Sequence, residues 1–208
     1  RVHGRVITNG AITGRMTHMS PNMAQVPAVH VPFGKECRGC WTVDEGNVLV
    51  GADASGLELR MLAHYMDDDE YTNEVLSGDI HTANQKAAGL PTRDSAKTFI
   101  YAFLYGAGAG KIGEIVGGSY KKGNELIDKF LCNTPPLSDL RSRIMLKAAT
   151  KDRTGKATLE GLDGRKLFIR SEHSSLNTLL QGAGAIVMKE ALVLLDKALK
   201  EHTLPHKF

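Results

Sequence analysis

Two cations and two phenols recur at four-residue spacing in RDSAKTFIYAFLYGAG, residues 93–108, as Arg93, Lys97, Tyr101 and Tyr105. Because an α-helix turns once per 3.6 residues, side chains four apart lie nearly in line along its surface. Two neighbouring cations in such a line repel each other unless an anion lies over them, and an arginine fork beside a lysine suits a triphosphate. The spacing therefore predicts a nucleotide site, with phosphates at the cations and the sugar and base at the phenols.

A glycine-rich run, GAGAGK at residues 106–111, overlaps the end of this segment and is similar in composition to a P-loop. A P-loop follows a strand, has four residues between its first glycine and Gly-Lys, and continues with Ser or Thr. Here Tyr105 stands at the first glycine position, Ile112 replaces the hydroxyl residue, and the preceding segment is helical in pattern. We therefore exclude an ATPase P-loop. A solvated basic helix face remains open as the alternative explanation of the four-residue spacing.

A carboxylate, Asp53, ends the apolar run NVLVGAD at residues 47–53, which is typical of a buried strand. Magnesium in proteins is commonly held by one or two carboxylates together with substrate phosphates. An aspartate at a strand end that faces Arg93 and Lys97 would suit phosphoryl transfer. Taken alone, an aspartate at this place is more often a turn former.

Composition and net charge limit the size of the core, the kinds of partner and the cellular compartment that the chain can have. The chain has 208 residues, 42% of them hydrophobic, which is enough for one sizeable core or two small lobes that share one. A net charge of +3 permits contact with a polyanion without requiring it. Three cysteines without a signal peptide favour reduced thiols in the cytoplasm. We find no apolar run near the ~20 residues that cross a bilayer and expect no membrane association.

Local patterns predict the elements that position these residues. Residues 1–47 are rich in turn formers and predict loops and short strands. Ser55 is a candidate cap for a helix through LELRMLAHYM, and its apolar face is predicted from four residues: Leu57, Met61, Leu62 and Tyr65. Pro91 and Thr92 predict the start of the next helix of interest, and Gly106 predicts its end.

The second half of the chain is predicted to be mostly helical. Residues 111–150 contain amphipathic segments interrupted by two prolines, and residues 157–170 predict a hairpin around Asp163 and Gly164. SLNTLLQGAGAIVMKEALVLLDKALK predicts a long helix whose small residues at 182–185 allow close packing.

Several segments together resemble conserved motifs of the family A DNA polymerases. GADASGLELR at residues 51–60 and RDSAKTFIYAFLYGAG resemble the first and second motifs of that family. TGRMTHMSPNMAQVP resembles the segment before the first motif, and the replicative enzymes of short-tailed phages are most similar in GDIHT, FLYGAG, LDGR and LNTLLQ. The resemblance covers nearly the whole chain in the expected order. It implies an α+β fold with a polymerase palm, a small antiparallel sheet with helices, and a helical fingers subdomain, truncated here.

The same resemblance implies a domain organisation and a metal site. Residues 1–65 would be the first part of the palm, 66–152 the fingers, and 153–208 the second part of the palm. Asp53 would be catalytic and would bind two Mg²⁺ ions, with the backbone carbonyl of Ala54 as a further ligand.

The resemblance also implies how substrate and DNA are held. His81, Arg93 and Lys97 would bind the triphosphate, and Lys97 would donate a proton to the leaving pyrophosphate. Tyr101 would lie against the deoxyribose, and Glu58 would fill the space that a 2′-hydroxyl needs. Template and primer contacts are implied for six residues: Arg15, Gln25, Tyr105, Gly106, Asn177 and Gln181.

The implied function is that of a DNA-directed DNA polymerase acting on primer-template DNA and deoxynucleoside triphosphates in the cytoplasm, the host's if the protein is phage-encoded. A processivity factor is possible in the full-length protein. The family's third motif, which carries a second metal-binding carboxylate, should follow the final helix, so we expect these 208 residues alone to be inactive. A non-catalytic binding fragment and a single-subunit RNA polymerase remain alternatives, and Glu58 argues against the latter.

Overall fold

The computed structural model describes residues 2–151, 153 and 155–206. The chain divides into two compact units, Arg1–Ser55 and Gly56–Phe208. In the first unit, strand β1 (Arg5–Ile7) pairs antiparallel with β2 (Thr17–Met19), and helix α1 spans Gly34–Gly39. Turns and loops make up the rest of its described residues. The prediction of loops and short strands for this region is confirmed.

The prediction of a buried strand at residues 47–53 is wrong. Val48, Leu49 and Val50 are 81%, 71% and 82% exposed, and this segment pairs with no strand in the part of the chain that the structure describes. β-Branched residues favour a strand only where a neighbouring strand and a packed face are available to them. Neither is present beside this run within the described ranges, so its apolar composition was misleading.

The second unit contains eight helices in its described part, two strands and one short 3₁₀ turn. They are α2 (Leu57–Met66), α3 (Asp69–Leu76), α4 (Ile80–Ala88), α5 (Arg93–Leu104), α6 (Ala109–Ile115), α7 (Tyr120–Cys132), α8 (Pro135–Ala149), β3 (Thr158–Glu160), β4 (Lys166–Phe168), the turn Glu172–Ser174 and α9 (Ser175–Glu201). Strands β3 and β4 form an antiparallel hairpin. The predicted helices, hairpin and long final helix are confirmed, as is the α+β class with small antiparallel sheets.

Helix α2 begins and packs differently from the prediction. Gly56, at φ +61°, occupies the N-cap position, and no side chain caps the helix, so the assignment of Ser55 as the cap is wrong. Of the predicted apolar face only Leu62 is fully buried, and the buried residues are Leu59, Leu62, Ala63 and Met66. The reason is that α2 packs against three helices, α3, α8 and α9. Together these neighbours cover more of its surface than the single apolar stripe that was predicted.

An aromatic cluster in the core fixes the orientation of α5. Phe99 and Phe103 on α5 meet Phe130 of α7 edge-on, with ring centroids 5.2 and 5.6 Å apart. Phe99 and Phe130 are completely buried. Edge-to-face pairs contribute about 0.5–1.5 kcal/mol each beyond the burial of their area. One face of α5 is therefore held firmly against α7.

Helix α9 combines a buried beginning with an apolar remainder. Leu167 of β4 and Leu57 of α2 lie against Gly182 and Gly184, so the small residues do permit close packing. By length and composition, Glu172–Glu201 could cross a membrane, which corrects the expectation that no run is apolar enough. A core helix of a soluble protein passes the same test, and most residues from Ser175 to Ala185 are buried in this unit.

Candidate nucleotide site

The start of α5 is fixed by a reciprocal cap. The Thr92 hydroxyl accepts a hydrogen bond from the backbone N–H of Ser95 at 3.1 Å, and the Ser95 hydroxyl accepts one from the N–H of Thr92 at 3.3 Å. This capping box satisfies two backbone donors that a helix otherwise leaves unpaired at its N-terminus. The predicted start at Pro91 and Thr92 is confirmed.

The four-residue line begins on the exposed side of α5 and reaches the core at Tyr101, which packs against it. The buried residues of this helix are Ala96, Phe99, Ile100, Phe103 and Leu104. Arg93 and Lys97 are exposed, Tyr101 is half-buried, and Tyr105 is 48% exposed. The ring centroids of the two tyrosines are 6.3 Å apart. Exposed cations thus lie at the beginning of α5, and two phenols, one of them partly packed against the core, lie at its end.

Helix α4 adds His81 to this line. Its imidazole lies 6.2 Å from the Tyr101 ring, centroid to centroid. Burial lowers the pKa of His81 below its usual value, and the positive charges of Arg93 and Lys97 lower it further. The buried Nδ1 of His81 has no hydrogen-bond partner among the described residues. Two cations beside the imidazole therefore disfavour its protonated form, and its buried Nδ1 has no partner within the described part of the chain.

Arg93 is engaged by a carboxylate that the sequence patterns did not identify as part of the site. Asp79 accepts hydrogen bonds from Arg93 Nε at 2.7 Å and from Arg93 Nη2 at 3.0 Å. It also caps α4 by accepting from the N–H groups of His81 and Thr82. The bond from Arg93 holds the pKa of Asp79 well below its usual range and raises the pKa of Arg93. The GDIHT segment carried the signal, since an aspartate before a helix is a typical N-cap.

Glu58 and Tyr101 lie within electrostatic range of each other. Burial raises the pKa of the Tyr101 phenol, and the negative charge of Glu58 raises it further. Glu58 lies in the first turn of α2 and is half-buried. The structure therefore brings a carboxylate of α2 to the phenol that occupies the third place in the line.

The end of α5 needs a glycine. Gly106 has φ +81°, a conformation that other residues rarely adopt, and the N–H of Ala107 bonds back to the carbonyl of Ala102 at 2.9 Å. A Cβ at residue 106 would also overlap the carbonyl oxygen of His173, in the turn before α9. Tyr105 and Gly106 thus lie next to the start of α9.

The remaining predicted site residues are divided between the two units. Asn177 and Gln181 lie one turn apart on α9 and are half-buried. The other four belong to the first unit: Arg15 and Ala54 are half-buried, and Gln25 and Asp53 are exposed. Over the described ranges, no group of three or more His, Cys, Asp or Glu side chains is placed to hold a metal.

Comparison with known proteins identifies the family. A sequence profile of DNA polymerase family A matches residues 1–208. The chain belongs to DNA polymerase family A. It is 48% identical to the DNA-directed DNA polymerases of Enterobacteria phage T3 and Escherichia phage T7, over 99% of its own length and 32% of theirs. The resemblance to the family, and to its phage members, is confirmed.

More distant relatives agree with this assignment. The thermostable DNA polymerase I of Thermus filiformis is 28% identical over 96% of this chain and 26% of its own. The solved POL domain of Pol1 from M. smegmatis, in complex with DNA primer-template and dNTP, matches 98% of the chain with a TM-score of 0.80 at 23% identity. This likeness shows the fold. The chain spans about a third of the length of the two phage polymerases.

Proposed function

We propose that these 208 residues bind the incoming deoxynucleotide and part of the primer-template in a DNA-directed DNA polymerase, which transfers a dNMP to a primer 3′-hydroxyl. One observation carries the proposal: Arg93, Lys97, Tyr101 and Tyr105 follow one another at four-residue spacing, with both cations exposed and His81 beside the Tyr101 ring. A solvated basic face alone gives no reason for His81 of the neighbouring helix to lie beside this line. Family membership supports the same assignment.

The triphosphate lies over the beginning of α5 in this proposal. Arg93 and Lys97 are exposed there, and His81 lies half-buried beside them. In this proposal Lys97 gives a proton to the leaving pyrophosphate, which makes that group a better leaving group. These side chains stabilise negative charge that grows in the transition state.

The sugar lies against Tyr101, and Glu58 selects for deoxyribose. In the proposal both groups border the space beside the sugar, which agrees with the electrostatic effect of Glu58 on the Tyr101 phenol. A carboxylate there leaves a 2′-hydroxyl without room, which favours a DNA polymerase over an RNA polymerase.

The end of α5 and the start of α9 contact DNA in the proposal. Tyr105 and Gly106 meet the templating base, and the glycine permits the backbone to move as the fingers close. Arg15, Gln25, Asn177 and Gln181 contact the minor groove, where hydrogen-bond acceptors are shared by all base pairs. Contact there tests the shape of a base pair without reading its sequence.

The donor chemistry of Asp53 and Ala54 fits magnesium. A carboxylate and a backbone carbonyl are oxygen ligands, which this ion prefers, and magnesium usually completes its shell with waters and substrate phosphates. When bound, two such ions supply charge neutralisation and a more acidic 3′-hydroxyl. Asp53 is exposed, so its carboxylate is accessible to metal ions.

The wider organisation follows the family. We assign residues 1–65 and 153–208 to the palm and 66–152 to the fingers of a longer polymerase that works in the cytoplasm, the host's if the protein is phage-encoded. Primer-template DNA and deoxynucleoside triphosphates are its partners, and a processivity factor would act on another part of that polymerase.

Nucleotide binding by the 208-residue chain tests the proposal. Arg93→Ala should weaken binding of a fluorescent dNTP about 10- to 100-fold, as expected for a lost charge-assisted contact. Arg143→Ala is the matched control, because Arg143 is also an exposed arginine paired with an aspartate, Asp139, on α8. Equal binding by both variants would contradict the assignment of the phosphate site.

Assays of catalytic turnover distinguish a DNA polymerase from a binding fragment, an RNA polymerase and an ATPase. The chain alone should bind nucleotide without extending a primer, whereas the longer polymerase should extend it and lose that activity in Asp53→Asn. Ready incorporation of ribonucleotides by the longer enzyme would favour an RNA polymerase. ATP hydrolysis without extension would favour an ATPase.

A further inference from the structure

Asp79 connects the beginnings of two helices at the nucleotide site. Its carboxylate accepts from the N–H groups of His81 and Thr82 at 3.2 and 3.4 Å, and from the Thr82 hydroxyl at 2.8 Å, all in the first turn of α4. The same carboxylate accepts from Nε and Nη2 of Arg93, the first residue of α5. One side chain therefore sets the position of His81 and of Arg93 together.

The geometry of this ion pair leaves the other edge of the guanidinium available. Arginine has five N–H donors in a planar fork. Asp79 uses Nε and one hydrogen of Nη2, which leaves the second hydrogen of Nη2 and both hydrogens of Nη1. Within the described residues no other hydrogen-bond partner of Arg93 is found, and Asp94 acts on it only through its charge. The two terminal nitrogens can thus bind a phosphate side by side while the inner edge stays on Asp79.

The negative charge of Asp79 does not make it a simple rival of the nucleotide. Its carboxylate lies at the N-terminus of α4, where partial positive charge and backbone donors stabilise an anion. The arginine neutralises it further, and the bond between them lowers its pKa. The carboxylate is therefore already compensated before any phosphate arrives.

We propose that Asp79 is a positioning residue for the incoming nucleotide: it holds Arg93 by its inner edge so that the outer edge meets the triphosphate, and it sets His81 beside the same phosphates. This inference rests on the proposed function of Arg93. Without the carboxylate, the long arginine side chain samples many rotamers, and ordering it lowers the affinity for triphosphate.

Asp79→Asn is a test that preserves the fold, because asparagine caps helices as well as aspartate does. We expect the dissociation constant of a dNTP for the 208-residue chain to rise roughly tenfold, the low end of the effect that orienting partners have on liganding side chains in metal sites. Binding of the corresponding nucleoside, which has no phosphates, should not change. Asp139→Asn, which breaks the exposed Asp139–Arg143 pair on α8, is the matched control and should leave both affinities unchanged.

A double-mutant cycle with Arg93→Ala distinguishes the possible outcomes. If Asp79 acts through Arg93, then Asp79→Asn should have little further effect on dNTP affinity once Arg93 is gone. Additive losses, unchanged affinity or tighter dNTP binding in Asp79→Asn would each overturn the inference, and tighter binding would identify Asp79 as a competing anion. If Arg93→Ala itself leaves dNTP affinity unchanged, the proposed function fails first, and the positioning role fails with it.

Discussion

Substitutions on the two faces of α5 should have different effects. Those on the buried face should lower the free energy of unfolding, and those on the exposed face should weaken nucleotide binding. Ile100 lies on the buried face and is completely inaccessible, whereas Lys97, one turn away, is exposed. Ile100→Val removes one methyl group from the core, and Lys97→Ala removes a cation from the proposed phosphate site. The first change should affect unfolding alone, and the second should affect binding alone.

The magnitudes follow from burial and charge. Deleting one buried methyl group from isoleucine typically costs about 0.5–1.5 kcal/mol in free energy of unfolding. For a unit of this size that corresponds to a fall of about 1–6 °C in melting temperature. Exposed substitutions usually stay within about 0.5 kcal/mol of the parent, so Lys97→Ala should leave the melting temperature nearly unchanged. A lost charge-assisted contact should weaken dNTP binding by about 10- to 100-fold.

The assay pairs urea or thermal unfolding with titration of a fluorescent dNTP on the same preparations. Ile100→Val should bind with the parental dissociation constant at a temperature where it is fully folded. The separation of the two faces would be refuted if Lys97→Ala destabilised the chain as much as Ile100→Val, or if Ile100→Val weakened binding as much as Lys97→Ala.

Three further predictions concern catalysis, sugar selection and pH. In the longer polymerase, Lys97→Ala should slow the chemical step by about 10²–10⁴-fold, the usual contribution of a general acid, in single-turnover extension. Glu58→Ala should raise ribonucleotide incorporation relative to deoxynucleotide incorporation in a competition assay, because the space beside Tyr101 opens. The pKa of His81 should lie below its ordinary value of about 6.5 in the free chain and rise when a triphosphate binds, as an NMR titration of its ring protons would record. Because that pKa is lowered by folding, His81 contributes stability above about pH 6.5 that is lost as the pH falls through the folded-state pKa, and His81→Gln should remove this part of the pH dependence of unfolding.

Each of these predictions would be contradicted by a specific result. A near-normal single-turnover rate in Lys97→Ala would remove that residue from proton transfer, and an unchanged selectivity ratio in Glu58→Ala would place the sugar filter elsewhere. A His81 pKa that falls or stays constant on addition of dNTP would exclude the triphosphate from its surroundings. Identical pH dependence of unfolding in the parent and in His81→Gln would contradict the burial of this imidazole.

The sequence predicted the structure best where local features, such as helix caps and turns, agree with the pattern of apolar residues that the core buries. The start of α5 is set by Thr92 and Ser95 in a capping box, and most of its apolar residues are buried in one core, so its bounds and its exposed cations could be predicted. The hairpin around Asp163 and Gly164 was predictable for the same reason, since Gly164 adopts φ +78° and the turn is a local feature.

Prediction failed where structure depends on distant partners. The run at 47–53 has strand composition, but nothing in composition specifies whether a second strand lies beside it. Ser55 has the right chemistry for a cap, yet Gly56 takes that place. The Asp79–Arg93 pair joins residues 14 apart, and only the packing of α4 against α5 brings them together.

An NMR map of ligand contacts on the 208-residue chain tests the central claim most directly. Tripolyphosphate should shift signals of Arg93, Lys97 and His81, deoxyadenosine should shift those of Tyr101 and Tyr105, and dATP should shift both sets, with contacts between its deoxyribose protons and the Tyr101 ring. Such a result would place a nucleotide along α5 with its phosphates at the beginning of the helix. Shifts confined to other surfaces, such as the Arg143 region of α8, or the same response to all three ligands, would contradict the account.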